Sequence, residues 1–540
     1  MHEIEYRMKQ HNEELDVLIV GAGFSGLYML YKMREMNLKA LVIERASDVG
    51  GTWFWNRYPG ARCDIESIEY SYSFSEELQQ EWDWSNRYSD QSEILDYINY
   101  VVKKFNLKEN IVFNTSVKSA TFDQNSKNWI VETNSEKYNA KFCVMATGTL
   151  SSIKRPDFKG LEKFKGDWYV TGEWPHKKLD FTDKKVAIIG TGSSAVQSIP
   201  VIAKEAKNLT VFQRSPNYTI PAKNRPLTED ELSNAKSNYA QIREKAKYTR
   251  AGIGYNQFEE RKLLDLTSEE IKKELNNRWE IGGQEIFTSG FTDVGIDAKA
   301  NKIVADFVKS KIKEIVNDPN VAELLSPEDA IGCKRLCADT NYFETYNREN
   351  VQLIDLNSDP IDSVTDNGIL TKNKYFEFNT IIFATGFDAM TGALQAIDIT
   401  GKDGKKLKQV WKEGPKSFLG LLVNGFPNLF TVTGPGSPSV LTNMMVAIEQ
   451  HVEWISDCII FISKSNLREV EADEILQTEW MEHIEEVAKN TLRYTCNSWY
   501  VGANVPGKKR VFMPYAGGFG KYREMCDEIA KNNYSILKIN

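Results

Sequence analysis

The chain has 540 residues, of which 26% are charged, and its formal net charge at pH 7 is −8. This length predicts several domains around a large buried core, and the acidic balance argues against a nucleic-acid partner, because neutralising phosphates requires a basic surface. No apolar run approaches the ~20 residues of a membrane span, and the polar segment 1–14 lacks the pattern of a signal peptide. We expect a cytoplasmic protein with neither a nucleic-acid nor a membrane partner.

The cysteine and histidine content favours a reduced chain without a metal. Seven scattered cysteines are an odd number, which fits a reduced cytosolic protein better than a disulfide scaffold. The five histidines are spread apart without the spacing of a metal site. We therefore expect no bound metal.

A glycine-rich loop follows the first predicted strand. The motif Gly21-Ala-Gly-Phe-Ser-Gly26 comes directly after an apolar run. In such a loop Gly21 allows a tight turn, Gly23 lets backbone N–H groups approach a pyrophosphate, and Gly26 lets the next helix pack on the strand. The helix N-terminus favours the negative charge of that group. The second predicted strand ends at Glu44, whose carboxylate can accept both ribose hydroxyls, so we predict an FAD site.

The chain repeats this unit with different charges. The motif Gly190-Thr-Gly-Ser-Ser-Ala195 also follows an apolar strand. The residues of this unit predicted to contact the second dinucleotide are Gly190, Gly192, Ser193, Ser194 and Gln197. Its next strand ends in Gln213-Arg214-Ser215, where Arg214, with Ser215, would pair with a 2′-phosphate that an acidic residue would repel. We predict NADPH here, and two such dinucleotides together suit hydride transfer from a nicotinamide to a flavin.

Later segments suggest how these units divide the chain. Two apolar strands close on Ala-Thr-Gly, at 142–148 and 380–386, and are interpreted as crossings between the nucleotide-binding domains; an ordinary turn is the alternative for each. Between them, Thr228 and Thr267 open capping boxes, and apolar residues recur at helical spacing from Ile303 to Val316.

We predict an α/β fold with two Rossmann-like dinucleotide-binding domains and a helical insertion in the NADPH domain. The predicted boundaries are 1–150 and 387–540 for the FAD-binding domain, 151–220 and 331–386 for the NADPH-binding domain, and 221–330 for the insertion.

Three further segments carry long and specific motifs. Segment 50–64 is close to the pattern G-G-x-W-x-x-x-x-Y-P-G-x-x-x-D, segment 332–348 contains a Lys-Arg pair, and segment 497–515 contains two short aromatic motifs near the C-terminus. With the two nucleotide loops, these segments resemble the Baeyer–Villiger monooxygenases, the class B flavoprotein monooxygenases. The resemblance spans nearly the whole chain apart from the insertion and implies an enzyme that uses FAD and NADPH.

The linker signature of that family, F-x-G-x-x-x-H-x-x-x-W-P, is only partly present. The chain reads Phe164-Lys-Gly-Asp-Trp-Tyr-Val-Thr-Gly-Glu-Trp-Pro175, so Val170 stands at the histidine position. Trp174-Pro175 is retained and favours the Baeyer–Villiger branch over the sister enzymes that oxidise heteroatoms. The missing imidazole puts the coupling of the two domains, and hence the efficiency of NADPH use, in question, and His176 need not take its place.

The resemblance implies roles for individual residues. Arg335 would supply a fixed positive charge that stabilises a C4a-peroxyflavin, and Asp64, which the family motif also places near the flavin, would orient Arg335 through a charge-assisted hydrogen bond. Lys334 would reach the 2′-phosphate together with Arg214, and Trp499 would pack over bound NADP. The implied reaction inserts one atom of O₂ into a ketone and gives an ester or a lactone.

Other functions stay open at this point. A heteroatom monooxygenase acting on sulfides or amines shares every nucleotide motif. An NADPH-dependent disulfide reductase needs C-x-x-C, whereas the chain has Cys333-x-x-x-Cys337, a spacing that disfavours a catalytic disulfide. A flavin-binding, NADPH-sensing protein without turnover is a further alternative. Its only support is Val170, which stands where the family has a histidine in the linker.

Some contacts and the substrate are also left open. Trp53 and Trp55 fit core packing as well as flavin contacts. The substrate pocket is expected around Met444-Met445 and in parts of the insertion, but no pattern identifies the ketone. A monomer or a weak dimer is the default expectation.

Overall fold

Strands and helices alternate along the part of the chain that the computed structural model describes, residues 14–540. The strands are β1 (Leu15–Val20), β2 (Ala40–Ile43), β3 (Ile111–Val112), β4 (Val117–Asp123), β5 (Asn128–Thr133), β6 (Lys137–Met145), β7 (Asp167–Val170), β8 (Lys185–Ile189), β9 (Asn208–Gln213), β10 (Thr219–Pro221), β11 (Cys337–Asp339), β12 (Val351–Asp355), β13 (Ile361–Thr365), β14 (Gly368–Thr371), β15 (Tyr375–Glu377), β16 (Thr380–Phe383), β17 (Asp398–Thr400), β18 (Leu429–Thr431), β19 (Val470–Glu471) and β20 (Lys538–Ile539).

The α-helices are α1 (Phe24–Glu35), α2 (Thr52–Trp55), α3 (Glu76–Glu81), α4 (Gln91–Lys104), α5 (Ser193–Glu205), α6 (Glu229–Ala246), α7 (Ser268–Ile281), α8 (Gln284–Phe287), α9 (Ala298–Ile315), α10 (Pro319–Leu324), α11 (Tyr342–Thr345), α12 (Gly392–Gln395), α13 (Leu407–Val410), α14 (Met444–Lys464), α15 (Glu474–Lys489) and α16 (Phe519–Lys531). Short 3₁₀ turns include Ser439–Leu441, Leu492–Thr495 and Trp499–Val501. Within residues 14–540, the structure contains no helix that combines the length and the apolar character needed to cross a membrane.

The first sheet is built around β1. Its strand order is β17-β4-β5-β6-β1-β2-β3, and β18 also pairs with β6. Strands β1, β2, β3 and β6 run parallel, whereas β4, β5 and the start of β6 form an antiparallel meander. Successive residues of β1 face opposite sides, so Val17 and Ile19 enter one hydrophobic core while Leu18 and Val20 enter another. A strand buried on both faces in this way is typical of a sheet covered by helices.

The second sheet is smaller and entirely parallel. Its order is β12-β9-β8-β16-β7. In β8, Val186 and Ile188 pack on one face, and Ala187 and Ile189 pack on the other. The two sheets are the two Rossmann-like units of the prediction, and the α/β fold class is confirmed. The exact domain boundaries stay a prediction.

The helical insertion comprises α6 to α10. Thr228 and Thr267 form complete capping boxes with Glu231 and Glu270, as predicted. The periodic apolar segment forms α9, which ends at Ile315, so the predicted helix was one residue too long. The buried face of α9 packs into the same hydrophobic core as one face of the second sheet, so the insertion is part of that unit's core.

Candidate active site

The first nucleotide loop is held against the strand that ends in the first Ala-Thr-Gly segment. Gly21 has φ +107°, and a Cβ at this position would lie 2.5 Å from the carbonyl oxygen of Ala146. A Cβ on Gly26 would lie 1.8 Å from the carbonyl oxygen of Gly21. Helix α1 begins at Phe24 with no side-chain cap on its first N–H groups. Those N–H groups are free to bind an anion such as a pyrophosphate.

Glu44 directly follows β2, which is the position from which a carboxylate can reach the ribose of a dinucleotide. Its side chain is buried, and its two carboxylate oxygens accept hydrogen bonds from the backbone N–H of Ala22 and of Ala46, both at 2.6 Å. The carboxylate therefore braces the glycine-rich loop and also lines the cavity beside it.

The second loop repeats this geometry with one difference. Gly190 has φ +112°, and its Cβ would lie 2.5 Å from the carbonyl oxygen of Ala384, in the second Ala-Thr-Gly segment. Helix α5 begins at Ser193 and again has no side-chain cap. The third glycine position is Ala195, which is completely buried, so the helix leaves room there for a methyl group. Both Ala-Thr-Gly segments thus lie directly against a nucleotide loop.

Basic side chains line the open end of the second loop. Arg214 and Ser215 are exposed at the end of β9. The Nζ of Lys334 lies 3.4 Å from the Ser215 hydroxyl and 3.6 Å from a carboxylate oxygen of Asp329. Burial and the charge of Arg214 lower the pKa of Lys154, a residue that the sequence reasoning missed. These cations form a region suited to a 2′-phosphate.

Arg335 and Asp64 form the ion pair that the resemblance implies. The Nε and Nη2 atoms of Arg335 donate to the two carboxylate oxygens of Asp64 at 2.6 and 2.9 Å, and Nη1 donates to the carbonyl oxygen of Val440 at 2.8 Å. Burial acts to lower the pKa of Arg335, but the charge and hydrogen bonds of Asp64 outweigh it and raise the pKa. The guanidinium therefore stays protonated at any working pH.

The predicted site residues are brought together around one cavity of about 920 Å³. Those that line it are Gly21, Gly23, Glu44, Trp53, Trp55, Asp64, Gly190, Gly192, Ser193, Ser194, Gln197, Arg214, Ser215, Lys334, Arg335 and Trp499. Gly26 does not line the cavity, because it is buried in the first turn of helix α1, where the helix packs against Gly21 and β1.

The two tryptophans of the 50–64 segment lie in different surroundings. Trp53 is buried, and its Nε1 donates to the Tyr70 hydroxyl at 3.2 Å. Trp55 is half-buried, and the guanidinium of Arg45 lies 4.7 Å from its ring centroid. Tyr70 also lines the cavity and was missed, because nothing in its local sequence marks it as a site residue.

The two units contact each other closely beside the cavity. The Tyr58 hydroxyl donates to the side-chain oxygen of Gln197, and the Gln197 side-chain nitrogen donates to the carbonyl oxygen of Arg62, both at 2.9 Å. A Cβ on Gly60 would lie 2.3 Å from the carbonyl oxygen of Gln197. Gln197 is therefore a residue of the junction as well as of the cavity wall.

Val170, at the family's histidine position, does not face this junction. It ends β7, pairs with Phe383 and packs into an apolar core of the second sheet. His176 instead packs on Phe54, with ring centroids 4.6 Å apart, and burial together with the charge of Arg57 lowers its pKa. Neither residue lines the cavity.

One expectation about cysteines was wrong. Cys333 and Cys496 form a disulfide across 163 residues of sequence, whereas the composition favoured a fully reduced chain. Cys337 is buried and free, and its sulfur lies 3.2 Å from the Ser193 hydroxyl, so the Cys333/Cys337 pair is not a redox dithiol. An odd cysteine count excludes full pairing but cannot exclude a single cross-link.

The residues expected at the substrate pocket lie in different surroundings. Met444 lines the cavity, but Met445 is completely buried in the core. Among the described residues, none of segment 221–330 lines this cavity. Potential metal ligands are a separate matter: within residues 14–540, no group of three or more His, Cys, Asp or Glu side chains is arranged to hold a metal.

The residues of the cavity fit both predicted cofactors. Two uncapped helix N-termini can each hold a pyrophosphate. The carboxylate of Glu44 suits a ribose with free hydroxyls, and the cations Arg214 and Lys334 suit a phosphorylated one.

Comparison with known proteins gives the same result. A family model described as pyridine nucleotide-disulphide oxidoreductase matches residues 18–274. A Baeyer–Villiger monooxygenase of Pseudooceanicola batsensis is 41% identical over 528 residues, which cover 97% of this chain and 96% of that protein. A steroid monooxygenase structure bound to NADP has a TM-score of 0.93 and 45% identity, covering 98% of this chain and 99% of that one.

A further solved structure contains both nucleotides. It is the OTEMO complex with FAD and NADP, with a TM-score of 0.94 and 37% identity, covering 97% of this chain and 99% of that one. The predictions of FAD, NADPH and a ketone-oxidising flavin enzyme are confirmed, and the heteroatom alternative is not favoured. The chain belongs to the Baeyer–Villiger monooxygenase family.

Proposed function

We propose that Arg335, held by Asp64, is the catalytic cation of a reaction that converts a ketone, O₂, NADPH and a proton into an ester or lactone, NADP⁺ and water. When bound, NADPH and FAD supply the redox chemistry, namely hydride donation and the activation of O₂. The single observation that carries the proposal is the Arg335–Asp64 pair, which lines the same cavity as both nucleotide loops.

The role of Arg335 follows from electrostatics. Negative charge that develops during oxygen transfer to a carbonyl needs a preorganised positive partner in a site with little water. The side chain of Arg335 is only 25% exposed, and its bidentate contact with Asp64 fixes the plane of the guanidinium. Asp64 acts as the orienting residue.

The other predicted residues are proposed to bind the cofactors. Glu44 and the first loop would hold FAD, and Arg214, Ser215 and Lys334 would hold the 2′-phosphate of NADPH. Trp499 lies in the C-terminal loop and would cover the nicotinamide side of the cavity.

The substrate is proposed to be an apolar ketone. Apolar side chains line the cavity that contains Arg335, including Ile65, Val440, Met444 and Ile448. Such a wall suits a hydrocarbon skeleton whose only polar group is its carbonyl. We also propose that the enzyme works in the cytoplasm as a monomer or weak dimer.

Replacing Arg335 with Ala tests the central role. We expect ester formation to fall roughly 100-fold or more, in the range seen when an oxyanion donor is removed, while anaerobic reduction of bound flavin by NADPH continues. Arg348→Ala, an exposed arginine outside the cavity, is the control. Product analysis with ketones and with a sulfide separates this function from heteroatom oxidation. Undiminished ester formation by the Arg335→Ala enzyme would falsify the proposed role.

A further inference from the structure

The helical insertion contacts the Arg335–Asp64 pair from outside the cavity, since none of its described residues lines the cavity. Helix α8 begins at Gln284, a buried residue whose side chain lies beside both Arg335 and Asp64. With its amide oriented to satisfy its neighbours, Gln284 donates to the carbonyl oxygen of Leu336 at 2.9 Å and accepts from Arg335 Nη2 at 3.2 Å. The amide therefore bridges the guanidinium and the backbone immediately after it.

The turn that carries Gln284 depends on two glycines. Gly282 and Gly283 have φ of +72° and +94°, in the left-handed region that disfavours side chains. A Cβ on Gly283 would lie 2.3 Å from the Tyr88 hydroxyl, and one on Gly282 would lie 2.6 Å from the carbonyl oxygen of Pro221. The backbone at this point is therefore packed directly against other parts of the chain.

Two residues from the first unit clamp this turn. The guanidinium of Arg87 donates to the carbonyl oxygens of Ile281 and Gly282 at 2.6 and 3.2 Å, and it also pairs with Glu66 at 2.7 Å. The Tyr88 hydroxyl donates to a carboxylate oxygen of Glu285 at 2.7 Å. These contacts fix the start of α8, and so they fix the Gln284 side chain relative to Asp64.

The hydrogen bonds of Arg335 can be counted donor by donor. A guanidinium has five N–H donors. Nε and one Nη2 donor go to Asp64, one Nη1 donor goes to Val440, and Gln284 accepts the remaining Nη2 donor. Among residues 14–540, the remaining Nη1 donor has no protein acceptor, and Arg335 lines the cavity.

We propose that Gln284 is a positioning residue: it accepts the last Nη2 donor of Arg335 and so leaves a single Nη1 donor for the reacting group. This inference rests on the proposed role of Arg335. Without Gln284, the guanidinium could rotate away from Asp64 to find another acceptor, and its remaining donor would no longer point in one direction. The insertion then has a function in this enzyme, which is to hold the catalytic cation from outside the cavity.

The experiment compares Gln284→Met, which keeps the length of the side chain and removes both hydrogen bonds, with the wild-type holoenzyme. The control is Gln477→Met, which also removes a buried amide but one that accepts from Asn424 N–H and does not line the cavity. Because a hydrogen bond to a charged group is at stake, we expect the ratio of ester to hydrogen peroxide formed per NADPH to fall roughly tenfold in Gln284→Met. The KM for NADPH and the anaerobic rate of flavin reduction should stay within about twofold.

A double-mutant cycle tests whether the effect passes through Arg335. Lysine has no Nη2 atom, so Gln284→Met should change nothing further in an Arg335→Lys background. Crystal structures of the FAD-loaded enzymes give a readout that does not depend on turnover, and Arg335 should leave its 2.6 and 2.9 Å contacts with Asp64 only in Gln284→Met.

Three results would overturn the inference: an unchanged product ratio, an equal loss in Gln477→Met, or an unmoved Arg335. These are distinct from failure of the proposed function, in which the wild-type enzyme itself would form no ester from any ketone.

Discussion

The two glycine-rich loops have the same backbone geometry, but they differ in their third glycine position and in the burial of the side chains proposed to bind the nucleotides. In both, a Cβ on the first glycine would lie 2.5 Å from the carbonyl oxygen of an Ala-Thr-Gly alanine. The first loop ends in Gly26, and Glu44, the carboxylate proposed to bind a ribose, is buried. The second loop ends in Ala195, and its phosphate-binding candidate, Arg214, is exposed. The first site therefore encloses the side chain proposed to bind its ribose, whereas the second site leaves its proposed phosphate-binding side chain open to solvent.

A substitution at the third glycine position of the loops should have the largest effect and so tests this comparison first. Gly26→Ala would place a methyl group 1.8 Å from the carbonyl oxygen of Gly21, a distance that forces the first loop and helix α1 apart. We expect the purified protein to lose nearly all of its FAD, measured as the absorbance ratio of flavin to protein. Ala195→Gly is the matched change in the second loop and should keep full FAD content, at a helix cost of about 1 kcal/mol. Normal flavin content in Gly26→Ala would contradict the role given to the tight first loop.

The exposed cation of the second site should control the choice between NADPH and NADH. Arg214→Ala removes the charge proposed to pair with the 2′-phosphate, so kcat/KM for NADPH should fall by roughly tenfold to thirtyfold, a moderate loss because the group is solvated. The value for NADH should change little, since NADH has no 2′-phosphate. Arg155→Ala, an exposed arginine that does not line the cavity, is the control. An equal loss with both nucleotides would show that Arg214 acts on the fold and not on the phosphate.

These examples show what the sequence could and could not predict. Gly21, Glu44 and Arg214 belong to local motifs, in which the spacing along the chain determines the geometry, so their positions could be predicted. Arg335 and Asp64 come from segments 271 residues apart, and only the family resemblance connected them. The general chemistry of carboxylates and guanidinium groups does not single out these two residues.

The residues that were missed have no local signal. Cys333 and Cys496 are 163 residues apart, and no spacing rule predicts their pairing. Gln284 follows two glycines inside an insertion that none of the family motifs covers, and only the folded chain places it beside Arg335. Lys154 was missed because it lies beyond the first crossing segment, outside both nucleotide motifs.

The disulfide offers a moderate test, because it joins two segments that line the cavity and are proposed to contact NADP⁺. Cys333 directly precedes Lys334 and Arg335, and Cys496 lies three residues before Trp499 in the C-terminal loop. A cross-link that restrains this loop should lower the entropy cost of closing it over NADP⁺. We expect Cys333→Ser with Cys496→Ser to raise the Kd for NADP⁺ roughly fivefold, measured by calorimetry on the FAD-loaded protein.

Reduction provides the control for this prediction. Dithiothreitol should weaken NADP⁺ binding by the wild-type enzyme and should have no effect on the double serine variant. If dithiothreitol acts equally on both proteins, the effect has another origin, and the cross-link plays no part in holding the second nucleotide.

The smallest expected effect concerns pH and again separates the two sites. Burial and the nearby charge of Arg214 lower the pKa of Lys154 below its ordinary value of 10.5, although Asp388 opposes this shift. A rise in pH therefore removes the positive charge of Lys154 before that of an ordinary lysine, and NADP⁺ binding should weaken by about threefold between pH 7 and 10, a small change because the group is partly solvated. Lys154→Arg keeps its charge throughout this range and should remove the dependence. FAD affinity, titrated with the apoprotein over the same range, should not follow this curve, because the residue proposed to hold its ribose is Glu44 and not a lysine. A parallel loss of both cofactors would mean that the fold, and not the charge of Lys154, responds to pH.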